Sequence, residues 1–169
     1  MRIIDWILFF IFALNVLYLF VFALASKFKR KKVFQDFAPY KSIAVLIPAY
    51  REDAVIEDCV SSCLIQDYPS DMFTVVVISD HMADETNMRL SALPITLCIA
   101  QFEKSTKSKA LNLAMSQIRD HDIALVFDAD NTVDIDFFRR INDAFASVKT
   151  SILQAHRTAK SVIHNLAVL

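Results

Sequence analysis

The 169-residue chain contains no glycine, where average usage of about 7% would supply about a dozen. Gly-rich phosphate loops of the Walker and dinucleotide kinds are therefore excluded. Any turn that needs a left-handed residue must use Asn, Asp or a side chain held under strain. Cysteine is also scarce: Cys59, Cys63 and Cys98 show no CxxC spacing and are too few for a disulfide framework. Cys59 and Cys63 stand four apart on an expected helix, and all three read as small buried hydrophobes. The formal net charge is −1, so no global field points to nucleic acid as a partner. The length leaves room for one domain and an anchor, a typical domain taking about 100 to 150 residues.

Apolar residues are in excess, at 55% of the chain, and they crowd into the first 25 positions. From Trp6 to Ala25 there are twenty residues without a charge, Asn15 and Tyr18 being the main polar members. As a helix these span about 30 Å, the thickness of a bilayer core. Lys27, Lys29, Arg30, Lys31 and Lys32 follow, against Arg2 upstream, so the positive-inside rule predicts that the rest of the chain is cytoplasmic. A cleaved signal peptide is the alternative, since Ala23-Leu24-Ala25 has the A-x-A form. The apolar run is longer than a usual signal core, and the basic residues after it oppose export. The expected organisation is a transmembrane anchor at 3–25, a basic juxtamembrane linker at 26–42, and a nucleotide-binding domain over 43–169.

Beyond the linker, apolar runs alternate with helical patterns, with no internal repeat. Strands are expected at Ile43–Ile47, Phe73–Ser79, Ile95–Ala100, Ile123–Phe127 and Ile152–Ala155. Helices are expected at Ala54–Gln66, Asp84–Ala92, Lys107–Arg119 and Ile135–Val148. That order predicts an α/β fold with a mostly parallel sheet and helices on both faces. The strands are continuous apolar runs, as in Val75-Val76-Val77-Ile78, and are expected to be buried on both sides. In such sheets ligands bind beyond the carboxyl ends of the strands.

Those ends carry the chemistry. Asp128-Ala129-Asp130 follows a strand, and two carboxylates so placed suit Mg²⁺ or Mn²⁺ with a diphosphate completing the shell. A lone D-x-D is equally an Asx-rich turn closing a strand. Lys104, Lys107 and Lys109 crowd the start of a helix, with Ser105 or Thr106 as its N-cap. Cations are locally unfavourable there, but they suit phosphate oxygens on the same rim. Asp80 ends the second strand, and Tyr50 and Glu52 follow Pro48 at the end of the first. An aromatic face, acceptors, cations and a carboxylate pair along one edge are the equipment for a nucleoside diphosphate.

The runs Ile43 to Glu52, Val75 to Asp80, Lys107 to Asn112 and Phe127 to Asn131 resemble, in order, the motifs of family 2 glycosyltransferases with a GT-A fold. The resemblance covers about Ser42 to Ala155. It implies that Pro48, Tyr50 and Glu52 line the base and ribose, that Asp80 contacts the base and that Lys107 lies near the nucleotide. It further implies that Asp128 contacts ribose or metal and that Asp130 binds the metal, a divalent Mg²⁺ or Mn²⁺. The implied activity is transfer of a sugar from a nucleotide-sugar donor, a UDP-sugar, to a saccharide or lipid acceptor at the cytoplasmic membrane face.

The chain departs from that pattern at Ser79-Asp80-His81-Met82, where the family commonly has Asp-Asp-Gly-Ser. The apolar ending Val162 to Leu169 reads as a chain stopped within a domain, with the acceptor groove and general base expected later. No catalytic residue is nominated, His156 and His164 included. Two alternatives stay open. Leu125 to Val133 also resembles the D-x-D-x-T motif of haloacid dehalogenase-type phosphatases, which would make Asp128 the nucleophile and Asp130 the acid/base. The chain could also be a membrane-anchored nucleotide-binding module without turnover.

Overall fold

The computed structural model describes residues 3–27, 39–118, 120–148 and 151–155, with side chains from Ile3 to Ala25 in the first of these segments. The chain divides into two units, Met1–Val33 and Phe34–Leu169. In the first, helix α1 spans Ile3–Lys27. Its segment Ile3–Ala25 is long and apolar enough to cross a membrane, and none of it is buried. Asn15 returns its amide to the carbonyl of Ile11 at 3.4 Å, which satisfies one of its donors within the helix, as an apolar solvent requires. Most of the juxtamembrane linker and its basic residues from Lys29 to Lys32 lie outside the described residues.

The second unit alternates strand and helix: β1 (Ile43–Tyr50), α2 (Ile56–Leu64), β2 (Phe73–Asp80), α3 (Asp84–Ser91), β3 (Thr96–Ala100), α4 (Lys107–Gln117), β4 (Ile123–Val126) and α5 (Phe137–Ser147). The four strands form one parallel sheet in the order β3-β2-β1-β4. Parallel neighbours need a crossover, and α2, α3 and α4 supply the three. The chain winds outward from β1 through β2 to β3, then returns through α4 to place β4 on the other side of β1. That reversal puts the switch point between β1 and β4.

Helices cover both faces, as expected. On one, Ile43, Val45, Ile47, Val75, Val77, Ile123 and Leu125 meet Ile56, Cys59, Val60 and Cys63 of α2, Leu90 of α3, and Phe138 and Ile141 of α5. On the other, Ala44, Leu46, Val76 and Ile78 meet Ala110 and Ala114 of α4, whose lack of bulk lets the helix approach the sheet. Cys59 and Cys63 are buried and free. The Cys59 thiol beside it and then burial push the Cys63 thiol far above its ordinary value, so it behaves as a neutral hydrophobe.

Two expectations need correction. Strand β4 is not buried on both sides: Ile123 and Leu125 are buried while Ala124 and Val126 are exposed. It edges the sheet among the described residues, while α4 packs on β1, β2 and β3. The expected fifth strand at Ile152–Ala155 is not a strand either; these residues follow no regular pattern and Ile152 is 83% exposed. Its apolar residues have the propensity, but a strand exists only by pairing. His156, His164 and the apolar run Val162 to Leu169 lie outside the described residues.

Helix boundaries shift for local reasons. The Glu52 carbonyl accepts from the backbone N–H groups of Val55 and Ile56, both at 3.1 Å, so a turn uses up residues before α2 and the helix begins at Ile56 rather than Ala54. Helix α5 begins at Phe137 rather than Ile135, with no side-chain cap from Asp136. Buried Gln66 does that work across the fold. Its Oε1 accepts from the Phe138 N–H at 3.0 Å, and its Nε2 donates to the carbonyls of Ser62 and Asp134 at 2.8 and 2.9 Å. One amide thus ties α2 to the loop behind the D-x-D turn.

Gln66→Leu strands those buried partners, and a lost buried partner costs about 1–3 kcal/mol. Urea denaturation is expected to show a loss of about 2–4 kcal/mol; a change near zero would show that the amide does not hold α5 in place.

Candidate functional site

The register of β1 builds the cleft. It pairs with β2 along its whole length, to Tyr50↔Asp80, but with β4 only as far as Leu46↔Val126. Phe127 donates to the Leu46 carbonyl at 3.0 Å, and two residues later Pro48 lies on the same side of the strand with no N–H to offer. The ladder cannot continue there, and β1 and the chain after β4 part at the switch point, where ligands bind in open α/β sheets.

The chain turns sharply after Tyr50 and after Asp80. Arg51 and His81 take left-handed backbone conformations, φ 55° and 56°, which costs about 1–2 kcal/mol for a residue with a Cβ. With no glycine in the sequence the strain is met by contacts. The Arg51 N–H donates to the Asp80 carbonyl at 3.2 Å, and its guanidinium lies 5.2 Å from the Tyr50 ring centre. The His81 ring meets Tyr50 edge-on at 5.7 Å, and its Nδ1 lies 2.6 Å from Asp80 Oδ1. Asp53 Oδ1 accepts from the Ala83 N–H at 2.9 Å and so ties the two rim loops together.

Asp80 is 3% exposed, and a carboxylate so buried needs donors. Burial pushes its carboxyl up, but hydrogen bonds from Ser105, His81 and the Phe102 N–H outweigh this and hold it below 3.8.

Helix α4 brings its first residue to the same edge. Thr106 is the N-cap, its Oγ1 accepting from the Lys109 N–H at 3.3 Å. Lys107 then forms an ion pair through Nζ with Asp128 Oδ1. Both partners are well exposed, so the pair holds Lys107 loosely. Lys109 turns away, with Nζ donating to the Lys104 carbonyl at 2.8 Å and lying 5.9 Å from the Phe102 ring centre. The D-x-D turn is held from beneath: Asn131 donates to the Asp128 carbonyl at 3.0 Å, and the Cys59 thiol approaches the same oxygen at 3.8 Å. Ala129 is buried and Asp130 exposed.

Pro48, Tyr50, Glu52, Asp80, Lys107, Asp128 and Asp130 line one cleft of about 520 Å³, together with Ala49, Ser105, Thr106, Ala110 and Ala129, whereas Lys104 and Lys109, which the sequence also offered for phosphate, do not line it. From β2 to β4 it runs from aromatic and acceptor groups to a cation and two carboxylates. The described residues hold no group of three or more His, Cys, Asp or Glu side chains placed for one metal. Asp128 and Asp130 as a pair of hard oxygen donors fit a cation that keeps water and takes ligands from a diphosphate, Mg²⁺ or Mn²⁺, rather than a closed zinc site. Sequence reasoning missed His81; its signal was the absent glycine, which forces a side chain into the left-handed position after β2.

A family model described as "Glycosyltransferase like family 2" matches residues 39–167. A beta-monoglucosyldiacylglycerol synthase from Synechocystis is 33% identical over 125 residues, covering 70% of this chain and 26% of the relative. A probable glycosyltransferase of Bacillus subtilis, YdaM, is 28% identical over 97 residues, covering 53% and 23%. The chain thus spans about a quarter of the length of these relatives. Among solved structures, the mannosyltransferase PcManGT of Pyrobaculum calidifontis, in complex with GDP-Man and Mn²⁺, superposes with a TM-score of 0.62 at 25% identity, covering 83% of this chain and 41% of that one. S. aureus TarS 1-349 in complex with UDP gives 0.51 at 26%, covering 62% and 31%. These likenesses give the GT-A fold.

Because the folded Asp80 carboxyl titrates below 3.8, its contribution to stability is complete above that value and is lost as pH falls through the lowered one. Asp80→Asn is expected to leave the slope of a denaturation series unchanged above 3.8 and to flatten its acid limb below that value; an unchanged slope below it would remove Asp80 from the acid response.

Proposed function

The chain belongs to the glycosyltransferase-like family 2, and from that premise we propose that the cleft takes a nucleoside diphosphate sugar, a UDP-sugar, laid along the strand ends with its base toward β2 and its diphosphate toward β4. The observation that carries this reading is the single cleft lined by Tyr50, Asp80, Lys107, Asp128 and Asp130. Tyr50 is half exposed and offers the base an aromatic face, Pro48 closes the wall beside it, and Asp80 accepts an N–H from the base edge. Glu52 accepts from ribose hydroxyls. Lys107 exchanges its exposed pairing with Asp128 for diphosphate oxygens at the start of α4, where backbone N–H groups also favour an anion.

Asp130, with Asp128, would hold a divalent cation, which supplies Lewis-acid stabilisation of the departing diphosphate. Support for the cation comes from the Mn²⁺ named with the mannosyltransferase's sugar nucleotide, and support for the donor from the UDP named with TarS.

The membrane reading follows from α1 and the basic residues after it. We read the α/β unit as cytoplasmic, by the positive-inside rule, and the acceptor as lipid-linked or membrane-extruded. A relative whose name is a diacylglycerol glycolipid synthase accords with that class of acceptor.

Calorimetry on the whole chain in detergent is expected to show UDP binding that depends on Mn²⁺. Asp130→Ala is expected to abolish the metal dependence, and Lys107→Ala to weaken UDP about tenfold, or about 1.4 kcal/mol. Folded protein that takes up no UDP with Mn²⁺ present would falsify the donor reading.

A further inference from the structure

Helix α2 packs Ile56, Cys59, Val60 and Cys63 into the core, and polar Ser62, with Gln66 just past the end of the helix, is buried beside them. Buried polar groups need partners. Both find theirs in the segment that follows β4. The Ser62 hydroxyl donates to the Cys59 carbonyl at 2.8 Å, and the same oxygen accepts from the Val133 N–H at 3.3 Å. Its proton is thus used within the helix, and its lone pair serves the loop. The Gln66 amide reaches the Asp134 carbonyl and the Phe138 N–H, and the Cys59 thiol approaches the Asp128 carbonyl. Residues three and four apart share one side of a helix, so these three side chains form a single polar stripe.

The segment they hold has little else to fix it. Residues 127–136 belong to no strand or helix, and the backbone groups of such a segment must be satisfied one by one. The ladder to β1 ends where the Phe127 N–H meets the Leu46 carbonyl. Past that point the sheet register no longer sets where Asp128 and Asp130 stand relative to β1. Helix α2 starts from the opposite wall. Its first N–H groups reach the carbonyl of Glu52, a residue that lines the donor cleft. One short helix therefore bridges, on the core side, the gap that the broken ladder leaves open.

We propose that Ser62 is a positioning residue for the cation end of the cleft, its hydroxyl fixing the loop behind Asp128 and Asp130 through Val133 so that both carboxylates stand ready for a divalent cation. This role rests on the donor and cation reading above. Two carboxylates bind a cation well only when they are held in place beforehand, because ordering not built into the fold is lost from the affinity. An alanine would pack at position 62 without a polar group to satisfy, and the bond to Val133 is what the hydroxyl adds.

Calorimetry on the whole chain in detergent compares UDP binding with Mn²⁺ and in EDTA, the ratio of the two affinities being the metal gain. In Ser62→Ala the gain is expected to fall about tenfold, the scale on which groups behind metal ligands act, while UDP affinity in EDTA stays within about twofold of wild type. A general loosening of the fold would lower both affinities together. Ser62→Thr keeps the hydroxyl and is expected to keep most of the gain. Ser61→Ala, at the exposed neighbouring position, is expected to change neither affinity. Thermal melts establish that the variants fold. An undiminished gain in Ser62→Ala, an equal fall in EDTA, or a loss as large in Ser62→Thr or Ser61→Ala would overturn the role of Ser62 while leaving the donor reading standing. Wild type that binds no UDP, or binds it without a metal gain, would overturn both.

Discussion

The β1 ladder is the constraint on which the rest depends. Strand β1 stays bonded to β2 as far as Tyr50↔Asp80 but leaves β4 after Leu46↔Val126, with Pro48 standing where the next donor would be. The longer ladder carries Tyr50 and Asp80 side by side to the rim, and the shorter one lets Asp128 and Asp130 turn away across a gap. Had both ladders run equally far, the two groups would be joined by backbone hydrogen bonds instead of facing each other over a cleft. Helix α4 belongs to the same geometry, because the crossover from β3 to β4 must pass that gap and sets Lys107 at its mouth.

Strain and charge are then arranged around this edge. Arg51 and His81 are left-handed without being glycine, and each is held by the neighbours it serves, the Tyr50 ring and the Asp80 carboxylate. Sparsely populated backbone conformations cluster at functional sites when surrounding contacts determine them, and both lie at the cleft rim. Lys107 is the opposite case, a cation at a helix start where the backbone disfavours it, kept in place by an exposed carboxylate that an anion can displace. The supports are buried: Gln66 and Cys59 hold α5 and the D-x-D turn from the core side.

Much of this was legible in the sequence, for physical reasons. Continuous apolar runs such as Val75 to Ile78 suit strands buried on both faces, and the alternation of strand and helix puts the carboxyl ends of parallel strands on one rim. The seven residues chosen at those ends meet in one cleft because a parallel sheet collects all its carboxyl ends on one rim. What failed depends on neighbours rather than on the segment itself. Val126 is as apolar as Val76, yet one is exposed and the other buried, and the difference lies in what packs over each. Ile152 to Ala155 had strand-forming residues and no ladder to join. Helix α2 began late because a backbone turn at Glu52 intervenes, and no side-chain pattern announces such a turn. His81 was visible only indirectly, as the consequence of a missing glycine.

The cleft is directional, with Tyr50 and Asp80 at the β2 end and Lys107, Asp128 and Asp130 at the β4 end, and the proposed donor reading therefore requires one orientation of the sugar nucleotide. Anomalous diffraction from crystals of the chain grown with UDP and Mn²⁺ tests this most directly. The account predicts a manganese peak beside Asp130 and Asp128, with the uracil ring against Tyr50 and its imide edge toward Asp80. A manganese peak away from the D-x-D turn, or a base lying at the β4 end, would contradict it.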